Sequence, residues 1–278
     1  MTLRHLLVHL DKSEACAVRA DVAIALAKRF GARLTAVYAV CDPDVPSVAS
    51  RDRYVFVERA AGKAQAAFRL HASASDIEAD WQADIGESDL QVIRSVVLRS
   101  READLVVLGQ FDPETADGSV PEALVEHTVL HAGRPVLVVP YAGHFHAFGR
   151  RAVVAWNGSR EAARAVHDAL SLLAVADEVT VLALAPAAAR GSAVAEPPAL
   201  DGLVRHLSEH GVTAAGDRLV FDPSSIERAE RLLSYLADSG ADLLVMGAAG
   251  QQQGPSAAKH SLTRHVLLKM TVPILLSY

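Results

Sequence analysis

The sequence predicts an α/β protein of two tandem domains, each a doubly wound parallel sheet of five strands. The first observation is an internal duplication, because residues 103–109, ADLVVLG, recur as residues 241–247, ADLLVMG. Residues 6–13, LLVHLDKS, likewise match residues 152–159, AVVAWNGS. The second observation is the alternation of short apolar runs with helical stripes, which implies parallel strands joined by right-handed crossovers.

Apolar spacing predicts the elements of the first domain. Ser13 is the expected N-cap of a helix with apolar residues three or four positions apart, namely Ala15, Val18, Val22, Leu26 and Phe30. A later helix is expected to turn Leu90, Ile93 and Val97 toward the core. The predicted strands are residues 6–10, 34–40, 105–108 and 136–139. The last two are almost wholly apolar, as is typical of strands buried on both faces.

The second domain repeats this pattern. Ser159 is the expected N-cap of a helix that buries Ala162, Val166, Ala169 and Leu173. A later helix is predicted to bury Ile226, Ala229, Leu233 and Leu236, and the predicted strands include residues 153–156, 179–184 and 243–246. Residues 141–149 form the expected linker, so the predicted domains are 1–142 and 150–278. The long segments 42–53 and 186–198 follow the second strand of each domain, at the carboxyl edge where open α/β sheets bind ligands.

Composition excludes several classes of protein. The chain carries 33 acidic and 27 basic residues, for a net charge of −6, so it lacks the basic surface that duplex nucleic acid requires. No run approaches the ~18 apolar residues of a membrane span. The N-terminal apolar run is too short for a signal peptide, and the 2 cysteines form no C-x-x-C pair. We therefore expect a cytoplasmic protein without nucleic-acid or membrane partners.

A glycine-containing loop is the strongest candidate site. After residues 243–246 come Gly247 and Gly250, then nine residues, then His260 and Ser261 at the start of a predicted helix. Glycines permit a tight turn here, and the free amides of a helix N-terminus attract an anion. A true P-loop would need a glycine immediately before Lys259, which this sequence lacks.

These features together resemble the universal stress protein family in its tandem form. The resemblance rests on Asp11 or Asn157 after the first strand, on the repeated ADLLVMG-type strand, and on the Gly-x2-Gly-x9-x-Ser loop. It implies Rossmann-like domains of the adenine-nucleotide alpha-hydrolase type. It also implies that the terminal strands 136–139 and 274–277 pair antiparallel, which would make an intramolecular pseudo-dimer. Further association of whole chains into a homodimer stays open.

The family's ATP-binding motif is Gly-x2-Gly-x9-Gly-Ser. Carried onto domain 2, the resemblance makes Gly247, Gly250 and Ser261 phosphate-binding residues, while His260 replaces the third glycine. It places Asn157 and Met246 near the nucleoside, Leu184 with its backbone facing the base, and Leu262 beside Ser261 in the motif. The expected ligand is ATP or another adenine nucleotide.

The first domain departs further from the motif. Gly109 is retained, but Asp112 stands at the second glycine position, and Glu122 and Ala123 replace the Gly-Ser pair. Carboxylates repel a polyphosphate. We therefore expect a degenerate loop and a non-binding first domain.

The leading functional hypothesis is a non-catalytic stress-response protein whose domain 2 binds nucleotide as a regulatory ligand. The alternatives are an interaction scaffold with two degenerate pockets and a slow ATPase. No nucleophile or base is predicted, because the sequence has no G-x-S-x-G motif and no assignable Ser/His/Asp set. No metal site is predicted either, because His127 and His131 have metal-ligand spacing but no third ligand in view.

Overall fold

The computed structural model describes residues 2–41, 50–145, 147–186, 200–221, 225–248 and 262–278. Its chain divides into two compact units, Thr2–His146 and Ala147–Tyr278, which we call domain 1 and domain 2. Each is an α/β domain, which confirms the predicted fold class. No helix in the described ranges combines the length and the apolar character that crossing a bilayer would require.

Domain 1 contains one parallel sheet. Its strands are β1 His5–Leu10, β2 Arg33–Cys41, β3 Ala79–Gly86, β4 Leu105–Gly109 and β5 Val136–Val139. Its helices are α1 Ala15–Phe30, α2 Ser50–Ala74, α3 Asp89–Ser100 and α4 Leu124–His131. The strand order is β3-β2-β1-β4-β5, with every adjacent pair parallel. Helix α1 packs with α2 and α3 packs with α4.

Domain 2 repeats this topology. Its strands are β6 Arg151–Trp156, β7 Glu178–Pro186, β8 Ala214–Phe221, β9 Leu243–Gly247 and β10 Ile274–Ser277. Its helices are α5 Arg160–Leu173, α6 Leu200–Glu209, α7 Ser225–Ser239 and α8 Leu262–Lys269. The order is β8-β7-β6-β9-β10, again all parallel. The predicted cap is confirmed, since Ser159 accepts a hydrogen bond from the amide of Ala162.

The aspartate of each repeated Ala-Asp-Leu motif holds the start of the first strand of its domain. Asp104 accepts hydrogen bonds from the amides of Arg4 and His5 at 2.8 and 3.0 Å. Asp242 accepts from the amides of Gly149, Arg150 and Arg151 at 3.0, 3.1 and 2.9 Å. The aspartate of the repeated motif therefore has a structural role, because its carboxylate accepts hydrogen bonds from amides at the start of a strand.

Several local predictions are wrong. Ser13 does not cap α1, which begins at Ala15 after an uncapped Glu14, because the Ser13 hydroxyl donates to Asp11 instead. Leu90 is exposed rather than buried, although Ile93 and Val97 are buried as predicted. In α7, Ala229 and Leu236 are buried as predicted, but Leu232 is buried where Leu233 was expected.

The two predicted overhanging segments are covered only in part. Helix α2 begins at Ser50, so the last residues of the predicted loop 42–53 are helical. Residues 42–49 and 187–199 lie outside the described ranges.

Candidate functional site

The strand order places the candidate site between the first and fourth strands of each domain. There the chain turns toward opposite edges of the sheet, and ligands of open α/β folds bind at the carboxyl ends of such strands. In domain 1 this position lies between Asp11, after β1, and Gly109, at the end of β4. In domain 2 it lies between Asn157, after β6, and Gly247, at the end of β9.

The turn after β6 presents Asn157 to solvent. Its side-chain oxygen accepts a hydrogen bond from the amide of Ser159 at 3.1 Å, and Ser159 caps α5. Such a turn is typical of asparagine before a helix. Asn157 is exposed.

Gly247 lies directly against the first turn of α5. A Cβ added to Gly247 would lie 2.5 Å from the amide nitrogen of Ala162 and 2.5 Å from the carbonyl carbon of Glu161. Backbone atoms cannot move aside as a flexible side chain can, so only glycine fits here. The close approach accounts for the glycine that ends this repeated strand.

The other predicted site residues of domain 2 are only partly described. Leu184 and Met246 are buried near the carboxyl ends of β7 and β9, and Leu262 is the first residue of α8. Gly250, His260 and Ser261 lie outside the described ranges.

In domain 1 the equivalent position holds a buried ion pair. Arg19 of α1 donates to the carboxylate of Asp11 at 2.6 Å, and both side chains are about 95% buried, with exposed fractions of 4% and 5%. The Ser13 hydroxyl donates to the same carboxylate at 2.5 Å. Burial, the largest single influence, would raise the pKa of Asp11, but the charge of Arg19, together with His9 and the hydrogen bonds from Ser13, holds that pKa well below its usual range.

The Arg19 guanidinium also covers Gly109. A Cβ added to Gly109 would clash with Nη1 of Arg19, so the glycine provides the space that the guanidinium fills. Nε of Arg19 is buried without a hydrogen-bond partner among the described residues. The same repeated glycine thus faces an arginine in domain 1 and helix backbone in domain 2.

His9 lies at the same edge of domain 1. Its Nε2 hydrogen-bonds the carbonyl of Ala39 at 2.7 Å. Ala39 corresponds to Leu184 of domain 2. The strand register shows this, because Leu6 pairs with Leu34 and the equivalent Ala152 pairs with Val179. Leu184 is the residue whose backbone was predicted to face the base. Burial, followed by the charge of Arg19, lowers the pKa of His9 to about 4. The ring is therefore neutral at physiological pH.

The loop after β4 of domain 1 also reaches the end of β2. The carbonyl of Ser119 accepts from the amide of Cys41 at 2.7 Å, and Lys12 pairs with Asp117 at 2.7 Å. The Asp112 carboxylate accepts from Thr115 at 2.7 Å within the same loop. Asp112, one of the carboxylates predicted to repel a polyphosphate, and Asp117 of the same loop therefore have partners inside the domain.

Sequence reasoning missed His9 and Arg19 as residues that fill the edge of domain 1, although a signal was available. Aligning the repeats on Asp11 and Asn157 places Ala155 opposite His9 and Ala165 opposite Arg19. All three polar groups of the domain 1 cluster thus become small or uncharged in domain 2. His127 and His131 have ring centroids 5.6 Å apart, and the described residues contain no group of three or more possible metal ligands.

Comparison with known proteins agrees with this architecture. The model of the universal stress protein family matches residues 2–140. A universal stress protein from Archaeoglobus fulgidus is similar in structure, with a TM-score of 0.75 and 15% identity over 99% of this chain and 96% of its own. A putative universal stress protein from Pseudomonas aeruginosa has a TM-score of 0.57 and 15% identity, over 99% of this chain and 93% of its own.

Comparison with the curated proteins found no similar sequence. The family match spans half of the chain, and the duplicated topology of the two domains agrees with it. The chain belongs to the universal stress protein family.

Proposed function

We propose that this chain binds one adenine nucleotide, at the carboxyl edge of domain 2, as a regulatory ligand in a cytoplasmic stress response. The observation that carries the proposal is the difference between the two edges. His9 and Arg19 fill the edge of domain 1, whereas Ala155 and Ala165 stand at the equivalent positions of domain 2. Domain 1 is then a supporting copy that binds no nucleotide.

The nucleoside would lie at the ends of β6 and β7. The carbonyl of Ala39 is engaged by His9 in domain 1, but Ala155 has no polar side chain to engage the carbonyl of Leu184. Exposed Asn157 offers an amide to the ribose or base. Met246 would contribute apolar contact from β9.

The phosphates would lie over the start of the glycine loop. Gly247 lets the first turn of α5 lie directly against the end of β9, where this loop begins. Gly250, Ser261 and the amides near Leu262 would bind phosphate oxygens at the start of α8, as helix N-termini do. The imidazole of His260 would lie beside the phosphates in place of the family's glycine.

The direct test is calorimetric titration of the whole chain with ATP, ADP and AMP. We expect one site per chain, together with a nucleotide-dependent rise in the melting temperature. The absence of both effects at millimolar nucleotide would contradict the proposal. Two sites per chain would contradict the assignment of domain 1 as a non-binding copy.

A grafted variant tests whether the side chains that fill the edge of domain 1 prevent nucleotide binding. Asn157→Asp combined with Ala165→Arg would build the domain 1 ion pair into domain 2 and should abolish binding. Ala163→Arg adds the same charge at an exposed position of α5 and should leave binding intact. Circular dichroism of the grafted variant distinguishes a filled pocket from an unfolded domain.

A further inference from the structure

An arginine at the edge of domain 2 is held on an aromatic ring beside the candidate site. Arg160 is the first residue of α5, and its guanidinium carbon lies 5.6 Å from the ring centroid of Tyr278. Nη2 of Arg160 is 3.4 Å from the Tyr278 hydroxyl, and Nε donates to Glu161 at 2.5 Å. The Arg160 side chain is nonetheless 79% exposed. The guanidinium is thus positioned in solvent rather than buried in an ion pair.

This pair lies next to the strand end from which the glycine loop departs. Ser277, the residue before Tyr278, pairs in register with Gly247. Gly247 in turn abuts the first turn of α5, where Arg160 is located. A phosphate chain that enters over Gly247 therefore comes within reach of the Arg160 side chain.

Ser277 provides an independent indication of a ligand at this place. Its hydroxyl is buried and has no hydrogen-bond partner among the described residues. Register with Gly247 puts its side chain on the sheet face that α5 covers, because paired residues of parallel strands point the same way. An unpaired buried hydroxyl is costly, and a ligand oxygen near Gly247 would satisfy it.

The charge at this position is reversed between the domains. Glu14 of domain 1 stands where domain 2 has Arg160, and Pro140 stands where it has Tyr278. An arginine presents five N–H donors in a fixed fork that suits phosphate oxygens. Within the part of the chain that is described, the contacts of Arg160 with Glu161 and Tyr278 use two of these donors.

We propose that Arg160, positioned by Tyr278, binds the terminal phosphate of a nucleoside di- or triphosphate in domain 2. The inference rests on the proposed function and extends it, because it predicts a preference for polyphosphates over AMP and assigns that preference to a side chain outside the glycine motif. Glu161 holds the guanidinium when no phosphate is bound.

The test is calorimetric titration of the whole chain with ATP and with AMP. Arg160→Ala should weaken ATP binding by about tenfold, as expected for a lost charge-assisted hydrogen bond, and change AMP binding less than about twofold. Arg164→Ala is the matched control, since Arg164 is an exposed arginine of the same helix that pairs with Asp168. It should leave both affinities unchanged.

Tyr278→Ala should weaken ATP binding less than Arg160→Ala, because the charge remains but its position is lost. Equal losses for ATP and AMP in Arg160→Ala, or equal effects of Arg160→Ala and Arg164→Ala, would overturn the role of Arg160 while nucleotide binding by domain 2 stands. A wild-type chain that binds neither nucleotide would overturn both proposals.

Discussion

At the scale of single residues, the two domains differ in the side chains at the carboxyl edge of the sheet, where open α/β folds bind ligands. Asp11 and Arg19 form a buried charge pair in domain 1, and Asn157 and Ala165 replace both partners in domain 2. A change at both positions is what burial demands, because one charge left alone in a protein interior is far more costly than the pair.

Removing one partner of this pair should therefore destabilise domain 1 strongly. We expect Arg19→Ala to lower the free energy of unfolding by about 3–5 kcal/mol, since Asp11 would be left buried and unpaired. Adding Asp11→Asn should restore part of that loss. Urea unfolding of both variants and of Arg94→Ala, an exposed arginine of α3, measures the effect. A double variant no more stable than Arg19→Ala would contradict this account.

Buried His9 makes the stability of domain 1 sensitive to mild acid. Its pKa is lowered from 6.5 to about 4, so between these values the unfolded chain binds more protons than the folded one. The contribution of neutral His9 to the free energy of unfolding is therefore fully present above pH 6.5. It falls by on the order of 3 kcal/mol as the pH drops toward 4. The lowered pKa of Asp11 takes effect only below its usual value of 3.8.

Unfolding free energies measured from pH 7 to 4 check this expectation. His9→Gln keeps an amide donor for the Ala39 carbonyl but does not titrate, so its stability should vary less across the window. His131→Gln, at an exposed position of α4, should retain the wild-type dependence. An unchanged slope in His9→Gln would assign the acid sensitivity to another group.

At the scale of elements, much of the fold could be predicted from sequence, because the spacing of apolar residues indicates helices and strands and the duplication indicates that both domains share them. The apolar stripe of α5 predicted four buried residues, Ala162, Val166, Ala169 and Leu173, and all four are buried. Leu90 was wrongly predicted to be buried. It lies in the first turn of α3, where the apolar spacing continues but the side chain is exposed to solvent. The Arg19 contacts were not predictable from spacing, since they join α1 to β1 and β4 across the sheet edge.

Asp242, which holds the start of β6, gives a prediction at this scale. Asp242→Ala should lower the stability of domain 2 by about 1–2 kcal/mol, because three amides lose a charged acceptor and partly exposed amides are re-solvated. Hydrogen exchange at the amides of Arg150 and Arg151 should accelerate in the same variant. Asp238→Ala, at an exposed position of α7, is the control. Unchanged exchange at those two amides would show that the carboxylate does not hold the strand.

At the scale of the whole molecule, duplication allows the two copies to serve different ends. One copy fills its ligand edge with its own side chains, so its stability needs no ligand. The other keeps small residues there and would gain stability only when a ligand binds. Sequence comparison of the repeats predicts this division of roles from the loop carboxylates of domain 1, and it stays a prediction. The contacts of Arg19 and His9 supply a further reason.

This division predicts where nucleotide should protect the chain. At a concentration about 100 times its dissociation constant, ATP should stabilise domain 2 by about 2.7 kcal/mol, which corresponds to roughly a hundredfold slower exchange through unfolding. Hydrogen exchange measured on peptides should therefore slow in β6, α5 and β9 and stay unchanged in β1, α1 and β4. Protection in the domain 1 peptides as strong as in domain 2 would mean that Arg19 does not exclude a ligand, and that the two copies have not diverged in function.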